Sequence, residues 1–140
     1  MKDAALTTKR PTAEKIQNRE STRTGLAADA LQRAVLDNLA CLQARYPDIA
    51  TAHDWYMALA YSVRDRMLAR WVSTVQTYAS RDVKVACYLS AEFLIGPQLG
   101  NNLVNLAIEA SAREAMQRLG QDLDALLALE EEPGLGNGGL

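Results

Sequence analysis

The sequence predicts an α/β protein, mostly helical with one core strand. Three observations predict it: apolar residues recur at helical spacing over two long runs, the period switches to two at Val83, and glycine gathers over residues 134–139. With 140 residues, 49% hydrophobic and 23% charged, the chain has the material for one buried core and is neither disordered nor fibrous.

Residues 1–22 read as a flexible basic tail. The first 24 residues carry six cations (Lys2, Lys9, Arg10, Lys15, Arg19, Arg23) against three acids (Asp3, Glu14, Glu20), which leaves an acidic body of nine against fourteen. The tail has no aromatic residue to stack on a base and no dense Lys/Arg block, so it reads as a solvated N-terminus and not as a nucleic-acid site. No apolar signal segment follows the start, and no stretch approaches the roughly 20 apolar residues of a membrane span. A cytoplasmic protein is expected.

Leu31, Val35, Leu39 and Leu42 give a first helix over roughly residues 27 to 45, closed at Tyr46-Pro47 because the residue before proline is pushed out of the helical region. Thr51 and Asp54 have capping-box spacing and open a second helix. It carries Trp55, Leu59, Val63, Met67, Trp71 and Val75 on one face to about Tyr78. Arg64, Arg66 and Arg70 are most simply its solvated side, although such side chains can also meet a partner or an anion. Val83, Val85, Cys87 and Leu89 then alternate with Lys84, Ala86 and Tyr88, which predicts a buried strand. Gly96-Pro97 and Gly100 break the chain. Asn101 or Asn102 can cap a third helix through Leu103, Leu106, Ala110 and Met116, with Gly120 at its C-cap. Asp122 can open a short fourth helix before Glu130, Glu131, Glu132 and Pro133. A lone strand leaves both hydrogen-bonding edges unpaired, so further strands are expected elsewhere in the protein.

Cys41 and Cys87 have no metal-ligand spacing and the single His53 adds none, so both cysteines read as reduced core thiols and no metal site is expected.

Two places can carry chemistry. Glu92 interrupts an apolar stretch from Val85 to Ile95 at the expected strand end. A buried charge costs several kcal/mol unless paired, roughly, so Glu92 either serves a cleft at the carboxyl ends of strands or turns to solvent. The second place is Gly134-Leu135-Gly136-Asn137-Gly138-Gly139, which formally satisfies GxGxxG. It follows an acidic helix and a proline, not a strand, which excludes the dinucleotide reading, and no Gly-Lys-Ser/Thr follows to make a Walker loop. Glycines here let backbone N–H groups approach an anion, or they form a linker.

Separate segments line up with one family. Asp54-Trp55-Tyr56-Met57-Ala58-Leu59-Ala60, Val63-Arg64-Asp65-Arg66, Arg70-Trp71, then Tyr88 to Gly96, Asn101-Asn102-Leu103-Val104-Asn105-Leu106, and Gly134 to Leu140 resemble, in order, the N-terminal part of bacterial-type α-glucan (glycogen, starch or maltodextrin) phosphorylases. Arg23-Thr24-Gly25-Leu26 resembles the entry to their first helix, so the likeness covers residues 23–140, an incomplete N-terminal domain. The resemblance implies a two-domain GT-B (double Rossmann-like) glycosyltransferase, usually a homodimer, with pyridoxal 5′-phosphate (PLP) on a lysine of the second domain. Such enzymes cleave terminal α-1,4 bonds of a glucan with inorganic phosphate to give α-glucose 1-phosphate with retention, and the PLP phosphate relays protons.

By motif match, Asn137, Gly138, Gly139 and Leu140 would form the glycine loop. The N–H groups of Gly138 and Gly139 would face the phosphates, Gly138 near that of PLP, and the N–H of Leu140 the glucosyl unit. Glu92 would be an orienting carboxylate beside it. Ala79 stands where vertebrate members place a tyrosine that stacks on adenosine monophosphate, and the serine phosphorylated in that group aligns with Thr22 or lies near Ser21 without that group's own basic flanks, so the likeness does not extend to activation by AMP or phosphorylation. Pro97 replaces a common arginine, while Leu94 is shared with bacterial forms. The PLP lysine and second domain would lie outside these residues, and the 140-residue chain alone is expected to be inactive. The rival readings are a non-catalytic helical interaction or dimerisation module and, from the glycine pattern alone, a nucleotide-binding oxidoreductase segment.

Overall fold

The computed structural model describes residues 23–90, 93–132 and 134–135, of which 93–94 and 134–135 by their backbone. Five α-helices account for most of them: α1 (Ala28–Gln43), α2 (Ala52–Arg81), α3 (Leu99–Asn105), α4 (Glu109–Arg118) and α5 (Leu123–Leu127). A 3-10 turn (Pro47–Ile49) links α1 to α2.

α1 ends earlier than the proline alone requires. Ala44 turns left-handed (φ 52°), its N–H and that of Arg45 both reach the Leu39 carbonyl, and Tyr46 is then extended (φ −122°, ψ 159°) as a residue before proline should be. The expected capping box opens α2: the Thr51 N–H donates to Asp54 Oδ2 at 2.8 Å and the Asp54 N–H to Thr51 Oγ1 at 3.2 Å. At 30 residues, α2 is about 45 Å long.

The expected third helix is two. Ala107 takes φ 57°, the Ala107 N–H donates to Val104 O and the Ile108 N–H to Leu103 O, a Schellman-type stop that separates α3 from α4. Asn101 and Asn102 do not cap α3 but lie inside it, since the helix already begins at Leu99. Gly120 (φ 72°) closes α4 as expected, and the Asp122 side chain accepts the Asp124 N–H at 3.0 Å at the start of α5.

The core lies where α1 packs on the first half of α2 and on α4, with α3 and α5 closing it. Leu31, Val35, Leu39, Leu59, Val63, Leu103, Ile108, Met116 and Leu123 are buried there. Each such side chain contributes roughly 1.5–3 kcal/mol by leaving water. The apolar face of α2 outruns this core: Trp55 and Leu59 are buried, whereas Met67, Trp71 and Val75 are exposed.

The predicted core strand is corrected. Residues 83–89 take no regular secondary structure and form no ladder with any described residue, and Tyr88 and Leu89 are 85% and 92% exposed. Alternation prepares a strand, but only a neighbour's N–H and C=O groups complete one. The pairing that does occur is short and later: β1 (Phe93–Leu94) runs antiparallel to β2 (Gly134–Leu135), Phe93 opposite Leu135 and Leu94 opposite Gly134. The cysteines are corrected with the strand. Cys41 and Cys87 are exposed, the first on the outer side of α1 beside Asp37 and the second in the unladdered stretch.

Candidate functional site

The β1–β2 pairing joins two stretches that stand 41 positions apart in sequence, and its surroundings come from three elements. After β1, Gly96 (φ 64°) turns the chain and Gln98 folds its amide onto the Ile95 carbonyl at 2.5 Å. A left-handed φ of this kind favours glycine because no Cβ meets the following carbonyl. Before β2, Glu130 reaches back. Its Oε1 accepts the Gln98 N–H at 2.7 Å and its Oε2 the Leu99 N–H at 2.8 Å, so one carboxylate satisfies the first donors of α3. The sequence gives no local sign of this. Glu130 reads as the first of three acids before Pro133, and its partners lie 31 and 32 residues away.

A hollow of about 140 Å³ lies beside this tie, lined in part by Tyr56, Arg64, Met67, Asn102 and Glu130. It is below the roughly 300–1,000 Å³ of small-molecule pockets. Burial pushes the Tyr56 phenol above its ordinary pKa, and the Glu130 carboxylate adds to the shift. Another hollow, about 360 Å³, is lined by Arg113, Gln117, Gly120, Gln121, Asp122 and Leu123 at the α4–α5 turn and includes no residue of the β1–β2 pairing.

The sequence-predicted site residues Glu92, Asn137, Gly138, Gly139 and Leu140 lie outside the described residues. Their sequence neighbours do not. Phe93, which follows Glu92, faces Leu135, which stands two positions before Asn137. Among the described residues no group of three His, Cys, Asp or Glu side chains could hold a metal ion, and no helix is long and apolar enough to cross a membrane.

The arginines of α2 serve structure more than solvent. Arg66 is buried, 2% exposed, and donates to the Gly25 carbonyl at 2.8 Å and the Ser62 carbonyl at 2.7 Å. Burial lowers its pKa from the ordinary value, against the opposing charge of Asp65. Arg70 donates to the Asn105 and Leu106 carbonyls at 3.2 and 3.0 Å, closing the C-terminus of α3, where a cation also suits the helix dipole. Arg64 and Arg70 are exposed as expected of a solvated side, Arg64 stacked over the Tyr61 ring at 4.8 Å.

No family model matches the chain. Individual relatives do. It is 56% identical to the glycogen phosphorylase of Synechocystis sp. over 121 residues, which is 86% of this chain and 14% of that protein. It is 50% identical to the muscle form of glycogen phosphorylase from Ovis aries over 93 residues, 66% of this chain and 11% of that one. The human muscle form is 48% identical over the same 93-residue length. The chain belongs to the glycogen phosphorylase family. It spans about a seventh of the length of the Synechocystis relative. The mostly helical architecture described above is therefore that of a chain matching a small part of such a protein.

Proposed function

We propose that this chain is the N-terminal part, residues 23–140 after a basic tail, of an α-1,4-glucan phosphorylase. In this reading the whole protein is a cytoplasmic, homodimeric glycosyltransferase of GT-B architecture that transfers the terminal glucosyl unit of an α-1,4-glucan to inorganic phosphate. The bond between C1 and the bridging oxygen breaks, a bond from C1 to a phosphate oxygen forms, the leaving glucan oxygen gains a proton, and α-glucose 1-phosphate departs. The observation that carries the reading is the collinear family match over most of the chain.

Within it, the Gly138 and Gly139 N–H groups face phosphate, the Leu140 N–H faces the glucosyl unit, and Asn137 shapes the loop. Backbone donors suit this task because they stabilise developing negative charge without titrating. Glu92 orients the site as a hydrogen-bonding carboxylate. The antiparallel pairing of the stretch after Glu92 with the stretch before Asn137 supports the joint role.

PLP, which the family resemblance implies, finds no fit among the described residues. Lys84 is the one lysine there, and it is exposed in the stretch that forms no ladder. In our reading the cofactor is held by sequence outside these residues, so no step is derived through it. The 140-residue chain supplied with PLP, maltodextrin and phosphate is expected to release no glucose 1-phosphate in a coupled assay. The longer protein should release it, and Glu92→Gln in that protein should lower kcat by about 10²-fold. Turnover by the short chain, or full activity in the Glu92 variant, would sink the respective part of the proposal.

The non-catalytic interaction-module reading is favoured by one observation, the exposed apolar side of the second half of α2. It requires a defined oligomer of the 140-residue chain by sedimentation.

A further inference from the structure

We propose that Glu130 is a positioning residue that fixes the register in which the glycine-rich segment meets the segment following Glu92. Two arms of equal length lead away from the β1–β2 pairing: four steps from Leu94 to Gln98, and four from Gly134 back to Glu130. Continuing the antiparallel register of Phe93 with Leu135 and Leu94 with Gly134 brings Gln98 opposite Glu130. That is the pair the structure joins, through the Gln98 N–H on Oε1 at 2.7 Å, with the neighbouring Leu99 N–H on Oε2 at 2.8 Å.

The far end of the arms is therefore closed in register by a side chain. A slip by one residue would move Glu130 off one of its two donors and flip the side-chain order of the short ladder. A two-residue ladder is marginal by itself, so a second tie at a fixed offset has a large effect on whether that register persists. The Gln98 side chain, held on the Ile95 carbonyl at 2.5 Å and the Gly96 carbonyl at 3.3 Å, stiffens the arm against which Glu130 pulls. Glu130 touches no reacting atom; it acts through the alignment of the two segments. What that alignment serves rests on the function proposed above.

The test uses the full 140-residue chain and the variants Glu130→Ala and Glu130→Gln, with Glu131→Gln as the neighbouring-acid control. The nuclear Overhauser contact between residues 93 and 135 reports register, and amide exchange at Gln98 and Leu99 reports the tie. Glu130→Ala should abolish the contact and speed exchange of both amides about tenfold or more, Glu130→Gln should do so partly, and the control should do neither. Helical content and the unfolding midpoint should stay near the parent values. Persistence of the 93–135 contact in Glu130→Ala overturns the proposal. So does collapse of the helical core in both Glu130 variants, because Glu130 would then be a general stabiliser.

A further arm separates this idea from the reading it rests on. In the longer protein, Glu130→Gln should lower kcat of phosphorolysis more than it raises KM for phosphate. Lost register with unchanged turnover leaves Glu130 as the register tie and removes the glycine segment from the active site.

Discussion

Asn38 on α1 and Ser62 on α2 meet inside the apolar core, and the pair shows how a buried polar contact is balanced. The Asn38 amide donates to Ser62 Oγ at 3.0 Å and the Ser62 hydroxyl donates to the Ala58 carbonyl at 2.8 Å, while Asn38 Oδ1 has no hydrogen-bond partner among the described residues. Ser62→Ala leaves the Asn38 amide unpaired as well and should destabilise the fold by about 1–3 kcal/mol in urea unfolding. Asn38→Leu combined with Ser62→Ala removes both polar partners and should recover most of that loss. A double variant as weak as Ser62→Ala would contradict this account. Neither polar residue stands out in the sequence, where the helical period marks only their apolar neighbours.

Among the elements, α2 was the most legible because its signals are local. The Thr51–Asp54 capping box formed as its spacing predicts, and hydrogen bonds from the Thr51 backbone and side chain hold the Asp54 carboxyl below its ordinary pKa, helped by Arg45. A carboxyl depressed in the folded state contributes stability that is complete above its unfolded pKa of about 4 and is lost as pH falls through the lower folded value. Urea unfolding across the carboxylate range should therefore show the parent losing stability toward acid more steeply than Asp54→Asn. Parallel curves would count against the cap. The sequence predicts one helix where α3 and α4 stand because Ala107 carries no mark of a stop; alanine in the left-handed region is offset by the bonds to Val104 and Leu103 and by core packing of Ile108. The start of α3 was illegible for a related reason, since its cap is Glu130, a long-range partner.

At the scale of the molecule, the helical core covers only the first half of α2, and Leu68, Trp71, Val72, Val75 and Tyr78 stay exposed beyond it. The two tryptophans report this division, with Trp55 4% and Trp71 59% exposed. In the 140-residue chain, Trp71→Phe should leave blue-shifted emission that acrylamide quenches weakly, and Trp55→Phe should leave emission that it quenches freely. Equal quenching of the two variants would mean that the described division of α2 does not hold in solution.

The sequence by itself determined α1, α2 and α5, the Thr51 and Asp122 caps, the Gly120 stop and the family, since each is written in neighbouring residues or in a collinear series of them. It also offered Glu92 and the glycine run as candidates for chemistry, and these lie outside the described residues. Tertiary structure alone decided that residues 83–89 form no ladder among the described residues, that Arg66 turns inward onto carbonyls, and that Glu130 ties Gln98 and Leu99 beside the β1–β2 pairing. The physical reason is common to all three. A strand, a buried cation and a remote cap each exist only when a partner distant in sequence supplies the other half of the hydrogen bond.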